Sequence, residues 1–138
     1  MKDFSPLESN LNISFKNKDF LVQAFVHRSY INENKGFKLS HNERLEFLGD
    51  AVLELIVTEY LYRKYPSSAE GELTSYRSAL VNAMTLSKLA ADMGMNEFLL
   101  LSKGESKDMG RARTIILANT FEALIGALFE SNGYKEAE

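Results

Sequence analysis

The chain has 138 residues, 45% of them hydrophobic and 11% aromatic, which suits one domain with enough apolar material to build its own core. It contains no cysteine, which excludes disulfides, thiolate zinc sites and cysteine nucleophiles and fits a reducing compartment. With 16 basic and 19 acidic residues the net charge is -3, so any polyanionic partner has to be held by a local basic patch or through metal ions.

The N-terminal residues Met1 to Pro6 contain no apolar signal region, and no apolar run approaches the ~18 residues that span a bilayer. The expectation is a soluble, cytoplasmic protein with no membrane partner. Helical periodicity runs through nearly the whole chain, with no clear alternating strand, so the fold class is all-α. An opening helix around Leu7 to Leu11 is followed by one from Asn17 to His27, with Asn17 as N-cap. A loop from Asn32 to Leu39 precedes a long helix from Ser40 to about Lys64, which Pro66 stops. Ser40 and Glu43 have the spacing of a capping box. The next helix is expected from about Glu72 to Met93, ending at Gly94 as a C′ glycine. A loop from Leu101 to Gly110 leads to a last long helix, Arg111 to Ser131, and Tyr134 to Glu138 read as the start of another.

Two of these helices carry acids on faces that otherwise enter the interior. Glu46 and Asp50 are four residues apart, stacked on a line that continues through Leu53 and Val57. In the last long helix Ile115, Asn119, Glu122, Gly126 and Phe129 share one line, so Asn119 and Glu122 are polar positions on an apolar face. An ionised carboxylate in such a place costs several kcal/mol unless it is paired or bound to a metal. If the two helices pack together, three carboxylates and an amide oxygen converge into an all-oxygen set suited to Mg²⁺ or Mn²⁺. Gly49 and Gly126 each cost roughly 1 kcal/mol inside a helix relative to alanine, which points to close backbone approach at both.

Four blocks of sequence, in order, resemble the endonuclease domain of the ribonuclease III family. They are Ala24 to Tyr30 (AFVHRSY), Glu43 to Ala51 (ERLEFLGDA), Glu70 to Thr74 (EGELT) and Ile116 to Ala127 (ILANTFEALIGA). The resemblance covers nearly all of residues 1–138 and implies an all-helical symmetric dimer that lays two active sites along double-stranded RNA. It implies that Glu46, Asp50, Asn119 and Glu122 hold the catalytic Mg²⁺, for which Mn²⁺ can substitute, and that Glu43 and Glu70 sit nearby in the cleavage valley. The position of Phe47 implies insertion into the partner subunit. The expected reaction is Mg-dependent hydrolysis of double-stranded RNA, one strand per site, leaving staggered ends in RNA processing, including that of rRNA. Little base specificity is expected, because A-form RNA is read through shape, 2′-hydroxyls and phosphates. The segment from Ser102 to Arg113 precedes the second acidic helix and reads as an RNA contact through Lys103, Lys107, Arg111 and Arg113.

The family usually has aspartate where this chain has Asn119. Asparagine keeps a ligating oxygen and removes one charge, which fits either natural variation or a substitution meant to weaken catalysis. Bacterial members usually carry a C-terminal double-stranded-RNA-binding domain that this chain does not reach, so a truncated or excised domain is expected. The alternative function is a catalytically weak homologue acting as a structural RNA- or ribosome-binding subunit. A ferritin-like di-metal protein is disfavoured because neither histidine lies three residues after a glutamate. Taken without the resemblance, Glu43 is a capping residue, Glu70 a helix-start acid, His27 structural, His41 a loop residue, and Glu54 and Glu59 solvent-facing charge.

Overall fold

The computed structural model describes residues 2–137. Its elements are α1 (Ser5–Leu11), α2 (Lys18–Ala24), α3 (Arg28–Glu33), α4 (Glu43–Lys64), α5 (Glu70–Leu80), α6 (Ala83–Asp92), a 3₁₀ turn (Met95–Phe98), α7 (Lys103–Lys107), α8 (Arg111–Asn132) and α9 (Tyr134–Ala137). Among the described residues there is no strand, only a single parallel bridge between Val26 and Leu100.

α8 is the central post. It packs on α4 most extensively, then on α6, α2 and α9, and Ile116, Leu117, Phe121, Leu124 and Leu128 are buried along it. By length and composition it could cross a membrane, contrary to the expectation from the sequence; being surrounded by four helices accounts for that apolarity as core. Phe4, Phe25 and Phe98 close one end of the core as a cluster of tilted and edge-on rings.

Several helix ends follow the sequence. The Asn17 side chain accepts from the Asp19 amide at 3.0 Å, and Gly94 turns the chain with φ 77° after α6. The helix expected from Glu72 to Met93 is two helices, broken at Val81 and Asn82. Asn82 leaves helical geometry and its Oδ1 accepts from the Thr85 amide at 2.9 Å, starting α6 on its own cap. The Ser40 capping box does not form. α4 begins at Glu43 after Asn42, and the Glu43 carboxylate is drawn to Arg28 instead. Two short helices, α3 and α7, arise where the sequence predicts a helix ending at His27 and an unbroken loop from Leu101.

Three stretches distant in sequence are tied together by hydrogen bonds. The Leu100 amide donates to the Phe25 carbonyl at 2.9 Å, and the His27 amide donates to the Leu100 carbonyl at 3.0 Å. The Asn42 amide donates to the Val26 carbonyl at 2.9 Å, and its side-chain Nδ2 donates to the Ala24 carbonyl at 2.8 Å. Asn42 is buried, so these bonds satisfy it where water cannot.

Candidate active site

α4 and α8 cross at two glycines, and the crossing brings their acids together. A Cβ on Gly49 would meet the Glu122 carbonyl oxygen, and one on Gly126 would meet the Leu45 carbonyl oxygen, so the backbones touch with no side chain between them. Glu46 and Asp50 lie on either side of Gly49, and Glu122 lies one turn before Gly126. The result is a carboxylate group drawn from two helices. The Glu122 carboxyl, about half-buried, is pushed up to about 8, first by burial, then by its hydrogen bond with Asp50 and the charges of Asp50 and Glu46. Burial also raises Glu46, with Glu43 and Asp50 adding like-charge repulsion. At neutral pH, therefore, Glu122 is largely protonated.

Asn119 is partly buried on α8, one turn before Glu122, as the spacing predicts. Its amide oxygen carries no charge and so brings no repulsion to the neighbouring acids. Among the described residues, no three of Asp, Glu or His already stand close enough together to hold a metal ion. The donor chemistry nevertheless fits a hard divalent cation. All the donors are oxygens, and a cluster of acids that holds a proton at neutral pH is one that a cation would relieve.

The other expected site residues separate. Glu43 is exposed beside this cluster and held by Arg28 in a two-pronged ion pair, Nε to Oε2 at 2.8 Å and Nη2 to Oε1 at 2.6 Å. That guanidinium holds the Glu43 carboxyl below its ordinary range. Sequence reasoning missed Arg28, although it stands inside the His27-Arg28-Ser29-Tyr30 block. Glu70 does not join the acids of its own chain. It opens α5 after the Pro66 turn and lines a surface hollow with Thr58, Leu61, Tyr62 and Arg77, toward the far end of α4. His27 is structural, as its place in the sequence suggests. Its Nδ1 accepts from the Ser29 amide at 3.1 Å and caps α3. His41 stays in the loop before α4, and Glu54 and Glu59 face solvent or partly so, in ion pairs with Arg77 and Arg63.

Among the basic residues, Lys103, Lys107 and Arg111 are exposed, as an RNA contact would need. Arg113 is not. It is 5% exposed and its guanidinium bonds Asn96 and the carbonyls of Glu105 and Ser106, so its expected RNA contact is replaced by an internal one. Its spacing put it with Arg111, but positions two apart on a helix point to different sides.

Phe47 is 83% exposed. It heads a largely apolar, exposed stripe on α4 that continues through Ala51, Leu55, Thr58 and Tyr62; toward its far end Thr58 Oγ1 accepts from Arg77 of α5 at 2.9 Å.

Comparison with known proteins gives consistent results. A family profile described as Ribonuclease-III-like matches residues 17–138. Ribonuclease 3 of Oceanobacillus iheyensis is 50% identical over 132 residues, 96% of this chain and 58% of that protein. Ribonuclease 3 of Streptococcus uberis is 48% identical over 130 residues, 94% of this chain and 56% of that protein. The chain thus spans a little over half the length of these curated relatives. Among solved structures, the nuclease domain of ribonuclease III from Campylobacter jejuni superposes with a TM-score of 0.87 at 41% identity, covering 99% of this chain and 89% of that one. A second structure of that nuclease domain, with the same TM-score, is described as flexible in a region involved in dimer formation. Dicer from Pichia stipitis superposes with a TM-score of 0.62 at 34% identity, over 88% of this chain and 48% of that one.

Proposed function

We propose that this chain, which belongs to the ribonuclease-III-like family, is the endonuclease domain of a Mg²⁺-dependent ribonuclease that hydrolyses double-stranded RNA to staggered ends, acting as a homodimer in cytoplasmic RNA processing. The observation that carries the reading is the carboxyl group of Glu122 against Asp50 and Glu46, whose titration is set by burial and by other acids, with no base to relieve it. A purely structural helix crossing has no use for three mutually repelling acids; a cation-dependent hydrolase does.

Glu46, Asp50 and Glu122, with the amide oxygen of Asn119, are the groups that would hold Mg²⁺. When bound, the ion supplies an activated water, neutralises charge growing on the phosphoryl oxygens and stabilises the departing 3′ oxygen. Glu122 would have to give up its proton for the site to be filled, which couples occupancy to pH. Arg28 keeps Glu43 ionised at the rim of the site. Lys103, Lys107 and Arg111 offer phosphate contacts on the approach to α8. The exposed stripe from Phe47 to Tyr62 supports a self-complementary dimer face, in which two copies of the site act on opposite strands.

The test is cleavage of a blunt RNA duplex at matched Mg²⁺. Glu46→Ala and Glu122→Ala should each abolish it, Glu54→Ala should retain it, and single strands of the same sequence should be cut poorly by the parent. Retained cleavage in either site variant would move the site elsewhere.

A further inference from the structure

The segment between the 3₁₀ turn and α8 is held at both ends by charged side chains from other elements. α7 has five residues, Lys-Gly-Glu-Ser-Lys, too few for a helix to be stable alone and with no apolar face to bury. At its start the Ser102 amide donates to Ser29 Oγ at 2.9 Å, and the Lys103 amide donates to both carboxylate oxygens of Glu33 at 3.1 and 3.2 Å. At its end the Arg113 guanidinium donates to the carbonyls of Glu105 at 3.0 Å and Ser106 at 3.1 Å, and to Asn96 Oδ1 at 2.7 Å. The acid binds an amide at the start of the helix and the base binds carbonyls at its end, the Glu105 carbonyl also accepting from the Asp108 amide at 3.2 Å; these are the kinds of group a helix leaves for outside partners at its two ends.

Arg113 is buried, yet its guanidinium donates only to neutral oxygens. A guanidinium in that position is costly for core packing, and what it secures is the main chain of this segment. Lys103 and Lys107 are four residues apart, hence on one side of α7, both exposed and without an ion pair among the described residues. Arg113 in turn sits six residues before Asn119 on the same rigid helix, a rise of ~9 Å.

We propose that Glu33 and Arg113 are positioning residues for double-stranded RNA: by fixing the two ends of α7 they hold the ammonium groups of Lys103 and Lys107 at a set place beside the acid cluster, without touching the RNA themselves. This rests on the reading of the chain as a double-stranded-RNA nuclease domain. A segment ordered in advance avoids the entropy of ordering it on binding, so loosening either end should appear as reduced affinity.

Binding of the 138-residue chain to an RNA duplex is measured across a range of salt, with Ca²⁺ in place of Mg²⁺ to prevent cleavage, and kcat and KM are measured in parallel with Mg²⁺. The double change Lys103→Ala with Lys107→Ala should weaken binding and reduce the slope of log affinity against log salt by about 2, about one for each phosphate that is no longer neutralised. Glu33→Gln and, separately, Arg113→Lys should weaken binding about threefold or more, reduce the same slope and raise KM with little change in kcat, and neither should add to the weakening already caused by the double-alanine change. Glu33→Gln is the sharper test, because removing an anionic charge would on charge alone strengthen binding to a polyanion. It also alters an exposed residue, so it stands if Arg113→Lys fails to fold. Unchanged or tighter binding by Glu33→Gln, or a weakening that adds in full to that of the lysine pair, overturns the proposal. If the parent binds and cuts the duplex but the lysine pair alters neither affinity nor slope, the segment is no RNA contact and the proposal falls while the nuclease reading stands. If the parent binds no duplex, both fall.

Discussion

Gly49 of α4 and Gly126 of α8 lie backbone to backbone: a Cβ added to either would stand 2.9 Å from the amide nitrogen of the other, and closer still to the carbonyl oxygens of Glu122 and Leu45. Neither position has room for any side chain, so the two helices can approach this closely only because both residues are glycine. The same contact sets how far Glu46 and Asp50 are from Glu122.

Gly49→Ala should therefore damage fold and site together. The helices must part to admit one methyl group against main chain, which is overpacking at the severe end, on the order of 3 kcal/mol or more. Urea unfolding should show that destabilisation or no folded protein at all, and any folded fraction should need more Mg²⁺ for cleavage. An alanine variant as stable as the parent would contradict the crossing.

The raised Glu122 carboxyl predicts how metal-free stability changes with pH. Its value of about 8 in the folded protein lies above the ordinary carboxylate value of 4.5, so between those limits the folded state binds more protons than the unfolded one. Stability is then undiminished below about pH 4.5 as far as this group is concerned, and falls as pH rises from there through 8. Melting temperature measured in a chelator should decline over that window, Glu122→Gln should flatten the decline, and millimolar Mg²⁺ should oppose it. The Mg²⁺ concentration for half-maximal cleavage should fall as pH rises toward 8, since the proton no longer competes.

Asn119→Asp should lower that Mg²⁺ concentration at fixed pH, because a carboxylate adds one charge to the ligand set. Mn²⁺ should partly compensate in the asparagine form. An aspartate variant with unaltered metal dependence and rate would remove Asn119 from the site.

The stripe headed by Phe47 predicts assembly. Sedimentation at tens of micromolar should show about twice the chain mass, and Phe47→Asp should shift the protein toward monomer while leaving its helical content intact. A monomeric parent with Phe47 in solvent would rule the face out as a dimer contact.

Much of the site was legible because its residues obey a local rule. Glu46, Asp50, Asn119 and Glu122 fall at helical spacing on apolar lines, and Gly49 and Gly126 stand out as glycines inside helices. What local spacing could not supply was choice among competing partners. Ser40 with Glu43 has the form of a capping box, but a guanidinium fifteen residues upstream outcompetes a backbone amide for the Glu43 carboxylate. Val81-Asn82 lies within continuous helical periodicity, and the break there reflects the strength of Asn82 as a cap. Arg113 resembles its exposed neighbour Arg111 in sequence, and only the path of the preceding loop shows that its charge is turned inward.

The junction of Phe25, His27, Asn42 and Leu100 bears on the order in which the chain folds. Its hydrogen bonds join residues far apart in sequence, so they reward the chain only after a large loop has closed, and they belong to the late part of folding. The amides of Asn42 and Leu100 should then exchange with solvent deuterium at the rate of global unfolding, with no faster local route. The loop leading into α4 and the strand-like stretch before α7 thus open together, as one cooperative unit with the rest of the core.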